Sequence, residues 1–345
     1  MTRIEKLREK LNNNQGIIVS NPSNAFYLSE IKSSNITLYI TKEKSLLFTD
    51  FRYKEIAEKN EYGFTTITDK SVLKNLSDFI TGETEILIET DYITHDYFKK
   101  LSEKHENLNF ISANNPIADL RLIKDKAEIS NIKKACEIAG NAYLKTLPDI
   151  KEGMTELELK ALLQYNMVLT PSFDTIVLFG ENSSVPHGES SNRKLKYGDI
   201  ILMDFGCFYN GYASDMTRTV FFGKPTDEQK KAYNTVLKAH EMAVEFTKEC
   251  RKCAKIDGIA REYIDNSGYK NLFGHSLGHG VGIDIHEQPR LTSKADDELK
   301  ENMIFTIEPG IYIEGNFGIR IENTYVFYEN TANSLMNVEK SLTIL

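Results

Sequence analysis

No stretch of this 345-residue chain comes near the ~20 consecutive apolar residues that a membrane-spanning helix requires. The N-terminus, MTRIEKLREKL, reads as a charged amphipathic helix and lacks the apolar centre of a secretory signal. A cytoplasmic protein with no membrane partner is therefore expected. Cysteine is scarce, at four residues. Cys250 and Cys253 form a CxxC, but neither a second pair nor a histidine cluster stands at zinc-finger spacing, which argues against structural zinc or redox chemistry there. Cys136 falls on the apolar stripe Ile129, Ile132, Cys136, Ala139, Tyr143 and reads as core, while Cys207 reads as packing rather than as a nucleophile. A basic surplus is also missing: 42 Lys and Arg against 50 Asp and Glu give a net charge of −8, which argues against a nucleic-acid partner. What is present, 41% hydrophobic and 27% charged residues, is the composition of a soluble globular protein long enough for two domains.

Residues 1–118 alternate between strand and helix patterns. Gly16-Ile17-Ile18-Val19, Ile36 to Ile40, Ser45 to Thr49, Gly63 to Thr68 and Glu85 to Ile88 read as strands. Arg52 to Lys59, Val72 to Phe79 and Tyr97 to His105 read as helices. This is an α/β pattern with helices covering a mixed sheet, and it holds no glycine-rich phosphate loop and no cluster of acids. Asn114-Asn115-Pro116 breaks the pattern as a linker, giving domains of 1–118 and 119–345. Helices are expected at Lys126 to Thr146, at Thr155 to Asn166 with a Thr155/Glu158 capping box, and as one long run from Asp227 to Cys253.

Beyond Ser172, ionisable side chains sit inside segments that otherwise read as buried strand or tight turn. Asp199 to Gly206 reads DIILMDFG, nearly all apolar, with Asp204 near its end. Asn210-Gly211 is a strong type I′ hairpin signal. With that turn, Tyr209 faces Tyr212 and Asp215 faces Gly206, so Asp204 and Asp215 project from one face as diagonal neighbours. Met303 to Ile307 is apolar and β-prone yet ends in Glu308, and Gly318-Ile319-Arg320-Ile321-Glu322-Asn323 returns. A five-residue loop, Glu314 to Gly318, places Ile313 opposite Ile319, Tyr312 opposite Arg320 and Glu322 opposite Gly310. Glu308 and Glu322 then share a face as well. A buried carboxylate without a partner is costly, and a fixed cation removes that cost. The competing reading is a buried ion pair of Arg320 with Glu308 or Glu322. Four converging acids repel one another strongly, so with His279 added the metal reading leads.

His275 and His279 stand four apart, the spacing of a zinc-binding helix. That motif needs Glu after the first His; Ser276 stands there, and Gly274, Gly278, Gly280 and Gly282 oppose a helix. In extended chain the two histidines share one face, with His286 following. His187, between Pro186 and Gly188, lies in a loop rather than on a core face. His240 reads as a surface or helix-stripe residue rather than a ligand, and His95 and His105 as solvated.

The segments PSFDTIVLFGENSSVPHG, GDIILMDFG, GYASDMTRTVFFG, GHSLGHGVGIDIHEQP, FTIEPGIY and GIRIEN resemble the metallopeptidases of the pita-bread fold. The likeness is to their proline-specific branch of Xaa-Pro dipeptidases (prolidases) and Xaa-Pro aminopeptidases. NPSNAFYLSE and LLFTDFRYKEIA resemble, more loosely, the creatinase-type domain that precedes the catalytic one. The resemblance implies an N-terminal creatinase-like α/β domain followed by a pita-bread catalytic domain with a curved, mainly antiparallel sheet and flanking helices.

It also implies two divalent metal ions, manganese first and cobalt or zinc as alternatives. Asp204 and Asp215 would hold one ion, His279 and Glu308 the other, and Glu322 would be shared. A water bridging the ions would attack the Xaa-Pro bond of dipeptides or of peptide N-termini. Glu308 would shuttle its proton. His187 and His286 would hold substrate and stabilise the tetrahedral intermediate. His275 would flank the pocket, and Arg320 and Tyr312 would orient the ligand acids. Arg290 would receive the free carboxylate of a dipeptide. Proline-containing peptides and a second copy of the chain, as a homodimer, are the partners implied. The alternatives are a non-catalytic binding module on the same fold and a methionine-type aminopeptidase. The first would lack the ligands, and the second usually lacks the N-terminal domain. Asn323 departs from the family, which often has Asp there.

Overall fold

The run Gly16-Ile17-Ile18-Val19 has no polar side chain, and such a strand belongs inside a covered sheet. In the computed structural model, which describes residues 1–345, Gln15–Val19 lies inside a six-stranded mixed sheet. It pairs antiparallel with Thr37–Thr41 and parallel with Glu85–Ile88. Ser45–Phe48 and Thr65–Ile67 extend one side of the sheet, and Asn109–Ser112 ends the other. Ile18, Tyr39, Phe48, Leu76, Ile86, Ile88 and Leu101 form the core beneath the helices. His95 is exposed as expected. His105 is not: it is 4% exposed, its ring bonded to Ser77 Oγ at 2.6 Å and to the Leu73 carbonyl at 3.2 Å. Its neighbours in sequence are polar, but it stands four residues after the buried Leu101, on the same inward side.

The chain divides into two compact units, Met1–Arg121 and Leu122–Leu345. Asn114 and Asn115 take left-handed φ of 46° and 48°, a sharp bend, and Pro116 then opens the helix Pro116–Leu122. Proline suits a first helical position because its missing N–H would be unbonded there anyway.

In the second unit Lys126–Thr146 and Glu156–Met167 are helices, each opened by a capping box, from Asp125 and Thr155 respectively. They bury Ala135, Ala139, Tyr143, Leu159 and Leu163 with Val177, Met203 and Phe205 of an antiparallel three-stranded sheet: Met216–Phe221, Ile200–Phe205, Ile176–Phe179. A second core gathers Tyr233, Val236, Ala239, Ile256 and Ala260 with Phe305, Ile307, Tyr325 and Phe327. The last four belong to an antiparallel five-stranded sheet ordered Glu287–Leu291, Gly278–Gly280, Ile304–Ile307, Asn323–Tyr328, Thr331–Ser334. Mainly antiparallel sheets flanked by helices are the expected class.

The long helix is shorter than expected. It spans Asp227–Phe246, and Cys253 begins another, Cys253–Ile264. Lys252 between them bridges to Glu298 as extended chain, and all four cysteines are free thiols. His240 is fully buried, with its Nε2 and the Tyr325 hydroxyl 3.2 Å apart. No helix is long and apolar enough to cross a membrane.

Candidate metal centre

The first acid pair is set by a turn. Asn210 and Gly211 take φ of 47° and 82°, and Tyr209 faces Tyr212. The register runs on through Ala213 opposite Phe208 and Met216 opposite Phe205. Asp215 therefore stands across from Gly206 and shares a face with Asp204, whose own partner is Thr217. Gly206 has to be glycine, since a Cβ there would collide with the Ser214 carbonyl.

The second pair comes from a ribbon whose register differs from expectation. Gly315 takes φ of 68°, and the Asn316 N–H donates to the Ile313 carbonyl at 2.9 Å. The loop thus closes in three residues, Glu314 to Asn316, the usual tight hairpin with a left-handed glycine. Ile313 faces Phe317 rather than Ile319, and Tyr312 faces Gly318 rather than Arg320. A slip of two residues keeps every side chain on its own face, whereas a slip of one would invert it. Ile307 stands opposite Asn323 in the adjoining strands. Glu308 and Glu322 are accordingly directly opposed, not diagonal.

Arg320 does not pair with either glutamate. Its Nη2 donates to Asp204 Oδ2 at 2.5 Å, its Nη1 to the Tyr312 hydroxyl at 2.7 Å and the Pro186 carbonyl at 3.3 Å, and its Nε to Thr217 Oγ1 at 3.0 Å. The Thr217 hydroxyl in turn donates a hydrogen bond to Glu322 Oε2 at 2.7 Å. Tyr312, having accepted from Arg320, donates to His275 Nε2 at 2.9 Å, and His275 Nδ1 donates to the Ser276 carbonyl at 2.8 Å. One buried guanidinium thus fixes an aspartate directly, a glutamate through a hydroxyl, and a histidine through a phenol.

His279 sits on the short strand Gly278–Gly280, with no helix there, as its glycines require. Its Nδ1 donates to the Gly280 carbonyl at 3.0 Å. That leaves the Nε2 lone pair facing Asp215 Oδ2 at 3.5 Å and Glu308 Oε1 at 3.4 Å. Burial pulls its pKa down to about 4, and burial pulls that of His275 down to about 3, so both rings are neutral near pH 7. The acids move the other way. Burial first, and then the charges of Glu322, Asp204 and Glu308, hold Asp215 well above the usual carboxylate range. Burial and the Glu322 charge do the same to Glu308. Burial and the Asp204 charge push Glu322 up to about 8.

Protein groups leave part of this cluster unsatisfied. Asp204 Oδ1 and Glu322 Oε1 are buried and have no hydrogen-bond partner. Ligand atoms of Asp215, His279 and Glu322 lie within 4.8 Å of one another. Oxygen-rich donors with one neutral imidazole, four carboxylates crowded against the single guanidinium of Arg320, fit divalent cations.

A cavity of about 480 Å³ opens over the five side chains. His187, His275, His286, Arg290 and Arg320 line it too. Tyr312 stands behind, reached through Arg320 and His275. His187, His286 and Arg290 are exposed. The His286 ring meets that of His279 edge-on, with centroids 4.3 Å apart. Arg290 is the cross-strand partner of His279.

Supporting residues went unread in the sequence. The Asp257–Arg261 pair on the helix Cys253–Ile264 looks like an ordinary i,i+4 surface pair, yet Asp257 is fully buried. Arg261 donates to the carbonyls of Phe273 and His275 at 2.6 and 2.9 Å, pinning the segment that carries His275. Lys124, 2% exposed, bonds Glu287 at 3.1 Å, next to His286. Thr217 and Thr306 bond Glu322 and Glu308. The one available signal was their period-two spacing from Asp215 and Glu308.

Residues 130–329 match the model of metallopeptidase family M24, and residues 3–123 that of the creatinase/prolidase N-terminal domain. The chain is 36% identical over 352 residues to the Xaa-Pro dipeptidase of Pyrococcus furiosus, covering 99% of each chain. Among solved structures it is similar to an Xaa-Pro dipeptidase from Bacillus anthracis, with a TM-score of 0.95, 34% identity and 99% of each chain covered. It is also similar to an X-Pro aminopeptidase from Thermotoga maritima, with a TM-score of 0.92, 34% identity, and 98% of this chain and 100% of that one covered.

Proposed function

The chain belongs to metallopeptidase family M24, and on that premise we propose that it hydrolyses Xaa-Pro bonds, in dipeptides first, at a centre for two divalent ions. The observation that carries this reading is the convergence of Asp204, Asp215, His279, Glu308 and Glu322 on one cavity, with Asp204 Oδ1 and Glu322 Oε1 left without a partner. Asp204 and Asp215 would hold one ion, His279 and Glu308 the other, with Glu322 shared. When bound, the ions would acidify a water held between them and polarise the scissile carbonyl.

The remaining work falls to side chains. Glu308 has a raised proton affinity and takes the proton of the attacking water, then delivers it to the leaving imino nitrogen. His187 and His286, at the exposed rim, hold the substrate and donate to the oxyanion as it develops. Arg320 and Tyr312 keep Asp204, Glu322 and His275 in place before substrate arrives, so reorganisation during the reaction is small. Arg290 lies beside His279 with no hydrogen bond or ion pair on its guanidinium and receives the C-terminal carboxylate of a dipeptide. That free cation favours the dipeptidase reading over the aminopeptidase one. Manganese is the ion proposed first, since carboxylate-rich sites suit it. A cytoplasmic homodimer is proposed on the resemblance.

The test strips the protein of metal with a chelator and restores Mn²⁺, Co²⁺ or Zn²⁺. Hydrolysis is then followed on Xaa-Pro dipeptides and on Xaa-Pro-Yaa peptides. Metal-dependent cleavage before proline is expected. Protein that holds ions yet cleaves neither class would be a binding module, and cleavage after N-terminal methionine alone would make it a methionine-type enzyme.

A further inference from the structure

Next to the acid cluster lies a second buried guanidinium that the mechanism above does not use. Arg218, three residues beyond Asp215, is 1% exposed. All of its donors are satisfied: Nε to the Glu339 carbonyl at 3.0 Å, Nη1 to the carbonyls of Thr217 and Glu322 at 2.9 and 2.6 Å, and Nη2 to Asn323 Oδ1 and the Val338 carbonyl at 2.7 and 2.8 Å. Every one of these acceptors is neutral, and Arg218 makes no ion pair.

A buried charge is normally paired, because desolvation costs several kcal/mol per ion. Neutral acceptors offset part of that cost and leave the charge itself unbalanced. The guanidinium is held 2.6 Å from the Glu322 carbonyl, so its field falls on that residue and on the acids around it. Arg320, by contrast, is neutralised by direct contact with Asp204. The residue that decides the matter is Asn323. It is 1% exposed and sits between Arg218 and Ser334 Oγ, to which its Nδ2 donates at 2.9 Å. An aspartate would fit the same space, accept from Arg218, and accept from the Ser334 hydroxyl after that proton rotates.

We propose that Asn323, by meeting Arg218 with a neutral amide, leaves that guanidinium as a standing positive charge beside the metal centre, which weakens the hold on divalent ions and keeps them exchangeable. The proposal rests on the metal reading of the site. Like charges in a low-dielectric interior act over several ångströms with little screening, so a charge bonded to the Glu322 carbonyl bears on every ion bound there. Metal content of this protein would then follow the free ion concentration around it rather than stay saturated.

The experiment measures Mn²⁺ affinity of chelator-stripped full-length protein by competition with a chromophoric chelator, with the ion count taken from native mass spectra. Asn323→Asp is the decisive variant, its folding checked by circular dichroism. It should bind Mn²⁺ more tightly than the unaltered protein by about tenfold, the effect of 1.4 kcal/mol. Equal or weaker binding overturns the proposal. If unaltered protein takes up no ions, the metal reading fails instead, and the two failures are distinct. Should Asn323→Asp not fold, Arg218→Gln takes its place: tighter binding supports the proposal, and equal or weaker binding overturns it.

Discussion

Replacing Arg290 by alanine separates the two kinds of peptidase that the site accommodates. The guanidinium lines the cavity, stands across the strand from His279, and has no partner of its own, so no internal contact is lost when it is removed. A dipeptide brings a carboxylate within reach of the proline ring it follows, and a hydrogen bond to a charged group contributes roughly 1.5–3 kcal/mol. Arg290 is exposed, and water screens exposed pairs, so the lower end of that range applies. About 1.5 kcal/mol corresponds to about a tenfold loss in kcat/KM on Xaa-Pro. A tripeptide Xaa-Pro-Yaa has an amide where the dipeptide has its carboxylate, and should lose little. The assay compares kcat/KM of the metal-loaded protein and Arg290→Ala on matched substrates such as Ala-Pro and Ala-Pro-Ala. Equal losses on both, or none on either, would refute the reasoning and move the assignment to an aminopeptidase.

Asp215→Asn keeps volume and removes the charge of a proposed ligand; it should leave the fold intact, lose one ion by metal analysis and lose most turnover. Two ions with a normal rate would remove Asp215 from the centre. Thr217→Val deletes the hydroxyl between Arg320 and Glu322 and should cost about 1–3 kcal/mol in urea unfolding of metal-free protein, the cost of leaving buried polar groups unpaired; an unchanged midpoint would show the bridge to be dispensable. The pH dependence has a defined sign. Glu322 has a folded pKa near 8, above its unfolded value, so its protonated form stabilises the metal-free fold at low pH and this contribution is lost as pH rises through about 8. The depressed histidines, His240, His275 and His279, act oppositely, but only as pH falls through their unfolded value of about 6.5. Metal-free protein should therefore lose Tm as pH rises from about 6.5 to 8 and level off above that, and Mn²⁺ should abolish the loss. A flat metal-free profile would contradict the raised proton affinity.

Local chemistry was sufficient for much of this. The helix Lys126–Thr146 matches its expected bounds, and Thr155 caps Glu156–Met167, because capping and 3.6-residue periodicity are properties of neighbouring residues. The Asn210-Gly211 turn set its own register because few residues tolerate φ > 0 at both positions. Acids embedded in apolar strands stood out because burying an unpaired carboxylate is costly, and their shared faces survived a misjudged loop since strand faces repeat every two residues.

Packing decided the rest. The ribbon closed in three residues rather than five, and no local rule ranks those two loops strongly. Arg320 chose Asp204, a residue 116 positions away, over the glutamates near it in sequence, because the two sheets bring Asp204 to its plane and set Thr217 between it and Glu322. The polar neighbours of His105 hid a buried ring, and the helix from Asp227 stopped at Phe246 where Lys252 is drawn into a bridge with Glu298. Nothing local marks Arg218 as buried among carbonyls from three separate segments. A side chain's charge and shape are written in one position, but its surroundings are assembled from positions far apart, and it is the surroundings that set which acid is paired, which proton is held and which cation stands free.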